Sequence, residues 1–172
     1  PEKAEDGGPS QSSPRVQEIL NEGIRHEYTV VLQYLYHSFV AEGKELAEEL
    51  QNAAINEMQH MGWLSEKTAE AQAHPDMEHT DLALSGDTAA MLQADIAAER
   101  AVTMDYNQQL EQVDDPGLRA LLSRIRDHEV YHDELFTDML AELQAGAADD
   151  APACKPAEQG PAFTVGSLLD QE

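Results

Sequence analysis

The sequence predicts an all-α protein, four long helices folded into an antiparallel bundle with a long crossover between the second and third. Three observations predict it. Ala, Glu, Leu and Gln are abundant and Trp63 is the only tryptophan, a composition that favours helix over sheet. Apolar residues recur at steps of three and four along four separate stretches, the period of a helix with a buried face. Finally, Glu27, Tyr34, Glu57 and His60 recur as Glu99, Tyr106, Glu129 and His132 at one constant offset, so the chain divides into two related halves. At 172 residues it has room for one ordinary domain.

Ser13 and Pro14 make a good helix start, a capping hydroxyl followed by proline at the first helical position. The first helix is expected from about Pro14 to Glu42, with Gly43 as its stop. Its inward row is Leu20, Ile24, Glu27, Val31, Tyr34 and Ser38. Val30, Leu32, Leu35, Tyr36, Phe39 and Val40 extend the apolar surface beyond one stripe, which predicts a subunit interface and at least a dimer. The second helix, about Lys44 to Ala73, turns Leu46, Leu50, Ala53, Glu57, His60 and Leu64 inward.

His74 to Gly86 contains Pro75, lacks helical periodicity and is long for a bundle turn; it is the expected crossover. The third helix, about Asp87 to Val113, carries Leu92, Asp95, Glu99, Val102, Tyr106 and Val113 on its seam. Asp114-Asp115-Pro116-Gly117 is a tight turn and a new helix start. The fourth helix, about Pro116 to Ala145, aligns Leu118, Leu122, Ile125, Glu129, His132, Phe136, Met139 and Leu143.

The bundle is therefore expected over residues 13–145, after a disordered acidic arm at 1–12. Residues 146–162, rich in Ala, Pro, Asp, Gly and Gln, describe a linker that spans roughly 25 Å as a flexible coil. Residues 163–172 bring back a short apolar patch, Phe163 to Leu169, which reads as a docking peptide. The formal charge of −24, from 34 acidic and 10 basic side chains, argues against nucleic acid and anionic membranes as partners and attracts cations. Cys154 is the only cysteine, which excludes an intramolecular disulfide and a Cys-based zinc or iron–sulfur site and fits a reducing cytoplasm. Pro1 to Ser13 has no signal-peptide core, and no apolar run approaches the roughly 20 residues that span a bilayer. The expectation is a soluble, unexported chain.

The chemistry is carried by the repeated set. Residues three apart on a helix share a face, so Glu57 with His60 and Glu129 with His132 can converge. Each motif glutamate falls on the same row as core Leu, Ile, Val or Phe residues, where a lone carboxylate is costly. Four glutamates and two histidines from four helices form the ligand set of a di-iron or di-manganese carboxylate bundle. Oxygen and imidazole donors without thiolate suit iron or manganese. Glu57 and Glu129 are the expected bridges, with Glu27 and His60 completing one metal and Glu99 and His132 the other. Tyr34 and Tyr106 are candidates to bond ligand carboxylates or to supply electrons, with an ordinary core tyrosine as the plainer reading, and Asp95 to orient His132 or its counterpart. His26 and His128 are expected as solvated neighbours, and His37, His74 and His79 have no spacing that implicates them.

From about Arg15 to Leu143 the pattern resembles the bacterioferritin branch of the ferritin-like superfamily. The matching stretches are Glu27-x6-Tyr34, Glu57-Met58-Gln59-His60, Asp95-x3-Glu99 and Arg126-Asp127-x-Glu129-x2-His132. The resemblance implies a ferroxidase that oxidises Fe(II) at an intra-bundle di-iron centre with dioxygen or peroxide and stores the Fe(III) product. It implies ferroxidase ligands at Glu27, Glu57, His60, Glu99, Glu129 and His132, and it puts Met58 where such proteins bind haem between two subunits. The tail departs from that family: Phe163-Thr164-Val165-Gly166-Ser167-Leu168 resembles the peptides that target cargo to encapsulin shells. That implies an encapsulin shell protein as partner and a cytoplasmic nanocompartment as location. Two other readings stand beside it: a rubrerythrin-like peroxidase or manganese catalase on the same ligands, and a non-enzymatic haem-binding dimer. No Cys-x-x-Cys pair is present for a fused rubredoxin donor.

Overall fold

The computed structural model describes residues 13–149, and these form four helices with no strand among them. They are α1 (Pro14–Val40), α2 (Lys44–Glu70), α3 (Thr88–Leu110) and α4 (Pro116–Asp149). Ser13 caps α1 by accepting from the Val16 amide, with Pro14 in the first turn. Asp87 caps α3 through Ala90, and Asp115 accepts from the Leu118 amide at the start of α4. The arm at 1–12, the linker beyond 149 and the peptide at 163–172 lie outside the described residues.

Three helices end earlier than their composition suggests. α1 stops at Val40 rather than Glu42, and Gly43, with φ of 103°, starts α2 in a conformation open chiefly to glycine. α2 stops at Glu70 rather than Ala73 because Gln72 adopts a left-handed φ of 58° and the Ala73 amide closes back onto the Thr68 carbonyl. α3 ends at Leu110 rather than Val113, and Arg119 reaches back to the carbonyls of Leu110 and Val113. α4 instead runs past the expected end at Ala145, through Gly146 to Asp149. One glycine costs a helix only about 1 kcal/mol, and Ala147 and Ala148 follow it.

The helices pair as two antiparallel hairpins, α1 with α2 and α3 with α4, which face each other across the bundle. The crossover runs up the outside of α1 on a polar ladder with a step of four. Asn21 and Arg25 hold Asp76, Thr29 holds Thr80, Gln33 accepts from the Ala83 amide, and His37 accepts from the Ser85 amide. At its top, His37 and Asp95 form a fully buried pair at 2.9 Å, and Gln33 donates to the same carboxylate at 2.8 Å. His37 therefore takes the inward place expected of Ser38, whose hydroxyl bonds back to the Leu35 carbonyl. This also corrects the role expected of Asp95, which orients His37 rather than either histidine of the repeated set.

The core is split in two. One apolar cluster, with Ile19, Leu20, Leu64, Leu110, Leu118 and Leu122, fills the end near the α3–α4 turn. The other, with Val30, Leu50, Met91, Leu92 and Phe136, fills the end near the α1–α2 turn. Among the expected seam positions, Leu46 and Met139 are half-buried and Leu143 is exposed, because the bundle opens at that end. Asp95→Ala would leave buried His37 and Gln33 without their shared acceptor. We expect a loss of about 3 kcal/mol in denaturant unfolding, together with faster proteolysis within residues 74–86; an unchanged midpoint would show that the pair does not anchor the crossover.

Candidate metal centre

Between the two apolar clusters lies a polar layer. α1 supplies Glu27, α2 supplies Glu57 and His60, α3 supplies Glu99, and α4 supplies Glu129 and His132. All six are buried, none more than 1% exposed. They form two overlapping groups, Glu27, Glu57, His60 and Glu129 on one side and Glu57, Glu99, Glu129 and His132 on the other. Within each group one ligand atom from every residue lies within 4.8 Å of the rest. Glu57 and Glu129 belong to both. The helical step of three brings each bridging glutamate onto the same face as its histidine.

The donor atoms converge on a common space, and among the six residues only His60 Nδ1 and Glu57 Oε2, 2.7 Å apart, are hydrogen-bonded to one another. His132 Nδ1 lies 2.6 Å from Glu57 Oε1, yet both atoms lack a partner in hydrogen-bonding geometry. Glu27 Oε2, Glu99 Oε2 and both oxygens of Glu129 are likewise buried without a hydrogen bond. Buried carboxylate oxygens are normally paired, and six orphaned donor atoms converging between four helices fit a pair of cations. The set of four carboxylates and two imidazoles is compatible with a metal-binding di-iron protein.

The tyrosines cross the bundle. Tyr34 on α1 donates to Glu99 on α3, and Tyr106 on α3 donates to Glu27 on α1. Each therefore fixes a terminal carboxylate of the opposite hairpin, not the one two turns below it. Outside the histidines the two halves differ. His60 bonds its Nε2 to His128 Nδ1 at 2.8 Å, whereas His132 Nε2 lies 3.4 Å from the Asn56 amide. His128 is thus an outer partner of a candidate ligand and not the solvated neighbour expected. Its ring lies tilted beside Trp63, with centroids 6.3 Å apart, and Arg124 lies over the Trp63 ring at 4.2 Å. The signal for this pair was available in sequence: Asn56 and His128 each immediately precede a bridging glutamate. Met58 is half exposed, beside Ile55, on the outer side of α2 and takes no part in the layer.

Burial dominates the electrostatics. It pushes Glu57 up to about 8 and Glu129 up to about 7, with the neighbouring carboxylates adding to the effect. Glu99 is raised well above the ordinary range by burial and by Glu57 and Glu129. Burial works against the His60 cation, but contacts with Glu129, Glu27 and Glu57 prevail and push it up to about 12. Of the four carboxylates only Glu27 is lowered, because His60 and His26 outweigh its burial. His132 is lowered by burial. The balance in this layer therefore favours protonated Glu57, Glu99, Glu129 and His60.

A family model for the ferritin-like domain matches residues 17–145, which include α2 and α3 whole and most of α1 and α4. No curated protein matches the chain.

The proton balance sets a direction for stability. Above about pH 4.5 the folded metal-free chain keeps protons on Glu57 and Glu129 that the unfolded chain has released, and above about 6.5 it keeps the His60 proton as well. The folded state binds more protons across this window, so its stability falls as pH rises. We expect the Tm of chelator-treated protein to drop between about pH 6 and pH 9, and Glu57→Gln to flatten that slope. Added divalent metal should raise Tm most at the alkaline end, since it replaces the protons. A metal-free Tm that climbs over this range would contradict the assignment.

Proposed function

We propose that this chain, which belongs to the ferritin-like family, is a ferroxidase that takes up Fe(II) between its four helices and releases Fe(III) for storage. The observation that carries the reading is the sharing of Glu57 and Glu129 by two buried donor groups, one finished by Glu27 and His60 and the other by Glu99 and His132. Two cations held this close can each give one electron to the same oxidant, so that dioxygen is reduced to peroxide as two Fe(II) become two Fe(III). Carboxylates favour the higher charge of the product, and the absence of thiolate suits iron. Tyr106 and Tyr34 keep the terminal carboxylates oriented, and His128 and Asn56 do the same for the two imidazoles. The apolar clusters on either side keep bulk water from the layer.

The tail and the outer surface extend this reading. Phe163 to Leu168, behind a linker, has the character of a peptide that docks in a groove, and an encapsulin-type shell is the partner we propose for it. Phe39 is 80% exposed on α1, with Tyr36 beside it and Ile55 and Met58 exposed on α2, which supports association of at least two copies. Met58 would offer its thioether to a haem only in such a pair, and a haem absorbance band on purification tests that point. Among the described residues no helix is long and apolar enough to cross a membrane.

Anaerobic Fe(II) titration followed by oxygen tests the centre. We expect saturation at two irons per chain, rapid oxidation, and continued turnover with excess Fe(II). Glu57→Ala and Glu129→Ala each remove a donor common to both groups. Loss of an outer partner alone costs about 10- to 100-fold, so these should lose more than about 100-fold in rate. Tightly held manganese with brisk peroxide disproportionation would move the assignment to a catalase. Deleting residues 163–172 should abolish co-purification with the shell protein and leave Fe(II) oxidation unchanged.

A further inference from the structure

The two halves of the chain differ beside their tyrosines. At the constant offset that relates Tyr34 to Tyr106, Asp95 corresponds to Gly23, His37 to Gln109, and Gln33 to Asp105. Beside Tyr34 the first three residues form the buried His37–Asp95–Gln33 group, closed over by the crossover at Ala83 and Ser85. Beside Tyr106 their counterparts leave a cavity of about 450 Å³ between α1 and α3. Gly23, Tyr106 and Gln109 line it, with Glu22, His26 and Asp105. A Cβ on Gly23 would sit 2.9 Å from Leu64 and 3.1 Å from the Tyr106 hydroxyl, so the glycine allows α1 to approach both closely. The hydroxyl donates to Glu27, and one residue therefore separates the cavity from the donor layer.

We propose that this cavity is the passage by which a divalent cation reaches the centre, and that it opens on the Glu27–His60 half only. The inference rests on the metal-centre reading above. Its lining is that of a cation path. Gln109 is 6% exposed and its carbonyl oxygen has no hydrogen-bond partner, and His26 Nε2 is buried and equally unpartnered. Asp105 is exposed at the mouth and makes no ion pair among the described residues. The two arginines on the rim are occupied, Arg15 by Glu18 and Arg25 by Asp76, each at 2.6 Å. A cation thus meets free oxygen donors at the mouth and along the wall, in a chain of formal charge −24. On the other half the same route is blocked by a buried, fully bonded group.

Co(II) alone, added anaerobically to the full chain in a stopped-flow instrument, tests this. Trp63 is the only tryptophan, and its ring centroid lies 5.5 Å from that of His60, so its fluorescence reports arrival at this half of the centre without any turnover. Asp105→Lys and Gln109→Phe should slow association at least about 10-fold while equilibrium stoichiometry and affinity stay within about 2-fold. Asp138→Lys, the same charge change on a separate part of α4, should leave the rate unchanged. The paired change Gly23→Asp with Gln109→His rebuilds the closed arrangement of the other half and should slow association further. Its crowding against Leu64 is why the two single variants come first. Unchanged rates at full occupancy would overturn the passage and leave the centre standing. Loss of equilibrium binding along with rate would overturn it in favour of a structural role. Failure of the unmodified protein to bind Co(II) would overturn the metal-centre reading itself.

Discussion

Four carboxylates and two imidazoles are packed into one layer, out of reach of bulk water, between two apolar clusters. Without compensating charge such a layer opposes folding, because an ionised group in apolar surroundings loses its hydration and gains nothing in return. The metal-free chain answers with protons: Glu57 and Glu129 hold theirs into the neutral range, and His60 stays cationic among three carboxylates. Cations displacing those protons remove the conflict. The same constraint explains the divided core, since apolar side chains can close the bundle above and below the layer but not through it.

The layer also dictates how the helices are held. Neither hairpin is complete alone: Tyr34 of the first fixes Glu99 of the second, and Tyr106 of the second fixes Glu27 of the first. These crossed bonds join α1 to α3 beside the apolar contacts of Ile19, Leu20 and Ile24 with Val102 and Leu110. The crossover is tied to α1 by a polar residue at every fourth position from Asn21 to His37. This ladder supplies hydrogen bonds to a segment without secondary structure, which would otherwise need water for its amides. It ends in the His37–Asp95 pair, so the outer strap and the inner layer meet at the top of α3.

The internal two-fold relation is kept at the donors and broken around them. Residue type and spacing are the same in both halves, so each presents the same kinds of atom to the layer. The surroundings have diverged: His128 against Asn56 outside the imidazoles, and Asp95 against Gly23 beside the tyrosines. Those departures make one half enclosed and the other accessible from the side. The large apolar residues exposed on α1 and α2, Phe39 above all, take no part in the donor layer.

Much of this was legible in the sequence. Hydrophobic periodicity and cap residues located the four helices, and the repeated Glu and Glu-x-x-His spacing identified all six residues of the layer, because helical geometry converts spacing directly into facing. Helix ends were less legible: Gln72 turns left-handed, and Gly146 is passed over, for reasons of local energy too small to read from residue type. Asp95 and His128 were legible as residues but not as partners. Whether a carboxylate one turn from Glu99 meets His132 or His37 depends on which helix lies opposite, and only the packing of α1 against α3 decides it. The cavity beside Tyr106 is of the same kind. The sequence determined the donors, since their identity and step are local properties; the tertiary structure alone decided which groups surround them, since that depends on contacts between residues far apart in the chain.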